Sequence, residues 1–230
     1  MKLSIIIPIL NESENLKELL PIFFNHKRCE DLEVIVVDGG SNDNSFEIAF
    51  QMGARVLKSK VSSRACQMNL GAKEATGDIL YFVHADTRVL DSFYEDIIEA
   101  VESGVPAGCF AYSFDSDSIL LKVNSWFTKF NGVLSGGGDQ TLFIKKEVFE
   151  ALKGFDEYYC IMEDFELTQR LKKNYSFHVI PKKITVSARK YETNSWLRVQ
   201  LVNLVVFALF FLKTPPVKLK SLYSKLLVYR

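Results

Sequence analysis

The strongest constraint on the fold is a set of short apolar runs, each followed by a polar turn and then by a helix-length segment. Residues 3–7, 32–37, 54–57 and 79–83 are rich in Ile, Val and Leu, the composition of strands buried on both faces of a parallel sheet. Helix-like stretches with their own start and stop signals lie between them. Asn11 or Ser13 caps a helix to about Phe24. Asn44 or Ser45 starts one to about Met52. Ser62 or Ser63 starts one to Ala75, which Gly77 closes in a left-handed conformation. A fourth, residues 91–103, ends at Gly104 and Pro106. This alternation predicts an α/β fold with a mostly parallel central sheet, right-handed crossovers and flanking helices. The arrangement is Rossmann-like, but no G-x-G-x-x-G follows the first strand. Pro8-Ile9-Leu10-Asn11-Glu12 stands there instead, which argues against a nicotinamide or flavin dinucleotide site.

After Ala107 the pattern changes. Residues 108–114 alternate like an antiparallel strand and 118–130 read as a helix. Gly136-Gly137-Gly138-Asp139-Gln140 then precedes a short strand at 141–144, a short helix at 146–152 and a helix at 163–173. No linker composition interrupts the chain. The expectation is one domain over residues 1–190 and a helical C-terminal segment over 191–230.

Three sets of acids stand where an open α/β sheet binds ligands, at strand ends or a helix start. Asp38 closes the second strand, His84-Ala85-Asp86 follows the fourth, and Glu163-Asp164 opens the later helix. Carboxylates gathered in this way suit a divalent cation, a nucleotide and a general base. The combination points to transfer of a group from an activated, diphosphate-bearing donor.

Charge is unevenly spread. The formal net charge is zero, yet residues 170–230 hold thirteen Lys and Arg and a single acid, Glu192. Either this part faces an anionic partner, or it packs on the acidic body. The basic stretch lacks interleaved aromatics, so nucleic acid is not the expected partner. Residues 201–212, LVNLVVFALFFL, are too short to span a bilayer. With Trp196 before them and Lys213, Lys218, Lys220, Lys225 and Arg230 after, they read either as a peripheral anchor on an anionic membrane or as a core helix. Cys29, Cys66, Cys109 and Cys160 show no paired spacing and fit a reducing cytosol.

Taken in order, these residues resemble family 2 glycosyltransferases of the GT-A fold. Ile5-Ile6-Ile7-Pro8-Ile9-Leu10-Asn11-Glu12 is similar to that family's strand followed by P-x-x-N-E, and Val36-Val37-Asp38-Gly39-Gly40-Ser41 to its V-D-x-G-S turn. Ala75-Thr76-Gly77-Asp78, then Ala85-Asp86, resemble its A-x-G-D and D-x-D region. Gly154-Phe155-Asp156-Glu157 and Glu163-Asp164 resemble its G-F-D-E and E-D stretch. The likeness covers about residues 3–190. It is closest to a bacterial subgroup with H-A-D-T in place of D-A-D, here His84-Ala85-Asp86-Thr87.

The resemblance implies a nucleotide-binding half over residues 1–106 and an acceptor half over 107–190. It implies transfer of a single sugar from a nucleotide-sugar donor, a UDP-sugar first among them, because the processive Q-x-x-R-W motif is missing. It gives Asp38 the nucleotide base or ribose, with Pro8, Asn11 and Glu12 on the same rim. Arg64 is a candidate for the nucleotide or diphosphate, Arg189 for the diphosphate, Ala85 for the donor, Gly138 for close backbone approach to sugar or phosphate, and Asp139 and Gln140 for the donor sugar or acceptor. Asp86 would hold Mg²⁺ or Mn²⁺. His84 stands where the family has its first acid, and it either ligates Mn²⁺ or bonds the ribose. Asp164 is the expected general base of an inverting reaction, with Glu163 beside it. The bland readings stay open: Asp38 as a turn cap, Arg64 as an exposed helix-start charge, the glycines as a flexible loop. The apolar, basic C-terminus suggests a lipid-linked acceptor and a cytoplasmic protein peripheral to the inner membrane face. The alternatives are a sugar-nucleotide-binding scaffold without turnover or, less well supported, a nucleotidyltransferase.

Overall fold

A computed structural model of the chain describes residues 1–132, 135–137 and 140–228. In chain order its strands are β1 (Leu3–Ile9), β2 (Leu32–Asp38), β3 (Arg55–Lys58), β4 (Ile79–Phe82), β5 (Thr87–Arg88), β6 (Ala107–Phe114), β7 (Leu142–Lys145) and β8 (Phe177–Val186). The α-helices are α1 (Ser13–Phe24), α2 (Ser45–Gln51), α3 (Arg64–Glu74), α4 (Phe93–Glu102), α5 (Ile119–Phe127), α6 (Lys146–Ala151), α7 (Glu163–Asn174), α8 (Arg189–Thr193), α9 (Trp196–Phe211) and α10 (Pro216–Leu226). The strands form one sheet in the order β3-β2-β1-β4-β7-β6-β8-β5. β1 to β4 are mutually parallel, β7 runs antiparallel to β4 and β6, and β8 runs parallel to β6.

The apolar runs form strands because both faces of the sheet are covered. Every residue of β1 is buried, and its alternating side chains feed two cores, as the two-residue period of a strand requires. Ile5, Ile7 and Ile9 pack with Leu16, Leu19, Leu20 and Phe23 of α1 and with Phe93 and Ile97 of α4. Ile6 packs on the other face with Ala65, Met68 and Ala72 of α3 and Leu167 and Leu171 of α7. A third core joins Val199, Val202, Val206 and Phe210 of α9 to Leu219 of α10 and to Met162.

Several expectations are corrected. Gly77 is not a left-handed cap; α3 ends at Glu74, with Ala75 extended behind it. Gly77 is needed for proximity, since a Cβ there would lie 2.7 Å from Ser4 Oγ and 2.8 Å from the Lys2 carbonyl oxygen. Neither Asn11 nor Ser13 caps α1 with its side chain. Asp43 from the next loop accepts from the Ser13 amide at 3.2 Å, and Ser45 Oγ accepts from the Glu12 amide at 2.8 Å. β6 is antiparallel to β7 as expected, but its longer pairing is parallel, with β8. β8 was not legible in the sequence. Its apolar alternation breaks at Pro181-Lys182-Lys183, where the pairing with β6 shifts register between Phe110 and Ala111.

Candidate functional site

The carboxyl ends of β1 and β2 are stitched together by polar side chains. The buried carboxamide of Gln67, on α3, donates through Nε2 to the Ile9 carbonyl at 2.9 Å and to the Val37 carbonyl at 2.7 Å. Asn11, held at φ +57°, accepts from the Asn42 amide at 2.8 Å, and its own amide donates to Ser41 Oγ at 2.9 Å. Asn11 therefore locks the loop after β1 to the loop after β2. Gln67 is the residue that sequence reasoning passed over. Its signal was a polar side chain on the helix face that also carries Ala65, Met68, Gly71 and Ala72.

Asp38 sits on this rim and is 4% exposed. Its Oδ1 accepts from the amides of Gly40 at 3.3 Å and Ser41 at 2.9 Å, and from Ser41 Oγ at 2.6 Å. The turn-capping reading thus holds for one oxygen, and none of these bonds uses Oδ2. Asp43 orders the same loop. Burial opposes its charge, but hydrogen bonds from Ser45 and Ser13 outweigh that and hold its carboxyl below the usual range. Pro8 is buried on β1 and pairs in register with Val37 of β2.

Next along the sheet, β4 ends in the loop His84-Ala85-Asp86. Ala85 is buried in the core and His84 is half-buried. Asp86 projects at the rim, where the Arg189 guanidinium lies 3.2 Å from its Oδ2 and 3.6 Å from Glu12 Oε1. Arg189 opens α8 just after β8, and the pairing of Val186 in β8 with Thr87 in β5 brings it back beside Asp86. Glu12 also accepts from Asn15 Nδ2 at 2.6 Å.

Glu163 and Asp164 form the first turn of α7, entered through Met162 at φ +68°. Both are buried, and Glu163 is only 2% exposed. Arg64 Nε stands 3.0 Å from Glu163 Oε1, but not in hydrogen-bond alignment, so among the described residues neither Glu163 oxygen has a hydrogen-bond partner. Arg64 is thus an exposed charge at the start of α3, as one reading had it, and is also paired with this carboxylate. Because Arg64 opens the helix that carries Gln67, the pair ties the α7 acids to the β1–β2 rim.

The glycine loop serves α7. A Cβ on Gly136, at φ +87°, would come within 2.9 Å of Thr168 Cγ2, and one on Gly137 within 2.7 Å of the Phe165 ring. Thr168 Oγ1 donates to the Gly136 carbonyl at 2.7 Å. Gln140 is turned inward, which corrects its expected place against the sugar. Its Oε1 accepts from the Gly136 amide at 2.7 Å, and its Nε2 donates to the carbonyls of Phe110 at 3.2 Å and Thr128 at 3.3 Å. Gly138 and Asp139 lie outside the described residues. Asp156 and Glu157 form the turn before α7: Asp156 Oδ1 accepts from the Tyr158 amide at 3.0 Å, and Glu157 Oε1 from Asn69 Nδ2 at 3.0 Å.

Asp38, Asp86, Glu163 and Asp164 stand at strand ends or a helix start, with Arg189 beside Asp86 and Arg64 beside Glu163. Among curated relatives, the chain is 32% identical over 109 residues to "Dolichol-phosphate mannosyltransferase" of Pyrococcus furiosus, covering 45% of this chain and 31% of that protein. Among solved structures it superposes on the mannosyltransferase PcManGT of Pyrobaculum calidifontis, in complex with GDP-Man and Mn²⁺, with a TM-score of 0.67 and 17% identity, over 89% of this chain and 62% of that one. Staphylococcus aureus TarS in complex with UDP-GlcNAc gives a TM-score of 0.67 and 18% identity, over 82% of this chain and 59% of that one. The chain thus spans less than two thirds of each of these proteins, and the solved structures establish that its fold is the GT-A fold. The model of "Glycosyl transferase family 2" matches residues 4–151, which include β1 from Ser4 on and β2 to β7, and the chain belongs to that family.

Proposed function

We propose that the protein transfers a single sugar from a nucleotide-diphosphate donor to an acceptor hydroxyl, with inversion at the anomeric carbon. The observation that carries this reading is the buried acid pair at the start of α7. Burying a carboxylate without hydrogen-bond partners costs several kcal/mol, on the order of the penalty for an unsatisfied charged group. Glu163 is buried with the Arg64 guanidinium 3.0 Å from its Oε1, which offsets part of that cost, and neither of its oxygens has a hydrogen-bond partner among the described residues. Donor or acceptor hydroxyls are the groups that would satisfy it. Asp164, next in sequence, is the base: it takes the proton of the acceptor hydroxyl as that oxygen attacks the anomeric carbon. The bond from that carbon to the diphosphate oxygen breaks, and the nucleoside diphosphate departs.

Asp38 would receive the nucleotide, with Asn11 and Pro8 shaping the wall beside it. Arg189 would face the diphosphate. Asp86 and His84 present a carboxylate oxygen and an imidazole nitrogen two residues apart, a donor set that Mn²⁺ accepts and that Mg²⁺ takes less readily at nitrogen. Among the described residues no three His, Cys, Asp or Glu form a group fit to hold a cation. Asp86, with His84, would be the residues to hold such a cation. Bound there, it would neutralise charge growing on the leaving diphosphate.

A lipid-linked acceptor at the inner membrane face fits the C-terminal helices. Leu197, Leu201, Leu204 and Leu212 of this region are exposed, and Lys213, Lys218, Lys220 and Lys225 beside them are exposed as well. Trp126 and Phe127 on α5 add exposed aromatic surface. No helix among the described residues is long and apolar enough to cross a membrane. The curated relative from P. furiosus carries dolichol phosphate in its name.

The deciding experiment is calorimetric titration of UDP, GDP, dTDP and CDP, each with and without Mn²⁺. One diphosphate, UDP first among them, is expected to bind and to bind more tightly with the metal. Binding of none of the four, in either condition, would overturn the donor assignment.

A further inference from the structure

The same carboxylate oxygen that the cation reading needs is already engaged by an arginine. Arg189 Nη2 lies 3.2 Å from Asp86 Oδ2 and 3.6 Å from Glu12 Oε1, so one guanidinium nitrogen serves two acids from different loops. The three charges sum to minus one. A divalent cation ligated by Asp86 Oδ2 would bring two positive charges to within a few ångströms of that guanidinium, at a place where neither group is fully solvated: Asp86 is 33% exposed and Arg189 48%. Like charges at that separation repel strongly. Both cannot hold the oxygen at full strength.

We propose that Arg189 is a built-in counter-cation for Asp86 and a rival of the divalent cation. This inference rests on the donor-site reading above and adds to it a determinant of metal dependence. Both acid contacts are made by Nη2 alone, whereas a guanidinium presents further donors in a planar fork that matches phosphate oxygens. Arg189 thereby links Asp86 to a donor diphosphate directly, the link a bridging metal would make. Its position suits exchange between the two partners. It opens a five-residue helix, α8, directly behind β8, and its amide donates to Ser187 Oγ at 3.2 Å. The consequence is a coupling: cation alone binds weakly, because it must displace Arg189 from Asp86. Cation with diphosphate binds well, because the diphosphate gives Arg189 another partner. This is cooperativity between metal and nucleotide set by one side chain.

The test uses the full chain and Mn²⁺ alone, followed by calorimetry and by the electron paramagnetic resonance of free Mn²⁺. Arg189→Gln is expected to bind Mn²⁺ at least about fivefold more tightly than the parent, the lower end of typical coupling between sites. Arg189→Lys, which keeps the charge, is expected to return affinity toward the parent value. In the absence of metal, Arg189→Gln is expected to bind UDP more weakly than the parent, and addition of Mn²⁺ is expected to restore more affinity to the variant than it adds to the parent. Equal or weaker Mn²⁺ binding by Arg189→Gln, with Asp86→Asn still weakening it, would overturn the rivalry while leaving Asp86 as the cation's ligand. Mn²⁺ binding that Asp86→Asn does not change, in the parent and in the Arg189→Gln background alike, would overturn the rivalry together with the cation site. Thermal melts of each variant verify that the chain is folded.

Discussion

Two adjacent acids at the start of α7 have different surroundings. Glu163 is sealed at 2% exposure beside Arg64, while Asp164, also buried, sends its carbonyl to Thr168 Oγ1 at 2.7 Å. The division of labour proposed for them is separable. Asp164→Asn preserves shape and removes the proton acceptor. It is expected to lower kcat by at least about a hundredfold, the low end of general-base contributions, while the nucleotide Kd measured by calorimetry stays within about twofold of the parent. Retained turnover would remove Asp164 from the mechanism. At this scale the placement of the acids was legible: Asp38 ends β2, Asp86 lies in the loop after β4, and Glu163 and Asp164 open α7. Their partners were not. Arg189 meets Asp86 across 103 positions of chain, and Arg64 meets Glu163 from another helix. No local pattern encodes either pairing. Gln140 misled for a related reason: nothing in the sequence around it shows that its amide turns inward onto the carbonyls of Phe110 and Thr128.

Among the elements, α9 is the one whose two sides serve different ends. Val199, Val202, Val206 and Phe210 fill the third core, and Phe207 packs on Phe165 with ring centroids 4.6 Å apart, one residue beyond Asp164. The sequence left open whether this helix was core or anchor; one side of it is core. Leu197, Leu201 and Leu204 remain exposed on the other. Leu201→Glu with Leu204→Glu is expected to leave the melting temperature near that of the parent, because neither side chain is in the core. It is also expected to reduce co-flotation with vesicles containing anionic phospholipid, with parent binding weakened by salt. Unchanged flotation would remove this surface from the membrane reading. Strand β8 shows where element-level reading failed. Pro181 and two lysines interrupt its alternation, and the register shift opposite Phe110 and Ala111 absorbs the interruption.

Across the whole molecule, one acid ties the N-terminal half together. Glu33 on β2 accepts from Ser4 Oγ of β1 at 2.5 Å and from the Thr76 amide before β4 at 2.7 Å. Burial works against its charge, yet these hydrogen bonds and the Lys2 ammonium hold its carboxyl below the ordinary 4.5. A carboxyl depressed in the folded state contributes stability that is complete above its unfolded value and is lost as pH falls through the folded one. Glu33→Gln is therefore expected to cost about 1 kcal/mol at pH 7, the scale of a net hydrogen bond. The difference from the parent in urea unfolding should shrink as pH is lowered below 4.5. A difference that stayed constant with pH would show that the charge of Glu33 does not matter. The global architecture was more legible than its parts, because alternating apolar runs and helices over residues 3–103 leave few arrangements besides a parallel sheet. The strand order has a further consequence, in the living cell. β6 pairs with β7 on one side and with β8 on the other. While the chain is being synthesised, β6 keeps one unpaired edge until residues 177–186 have left the ribosome. An apolar strand with a bare edge is a template for pairing with other nascent chains. Arrival of β8 closes that edge and delivers Arg189 to Asp86 within a few residues, so protection from self-association and completion of the rim come in the same moment of synthesis.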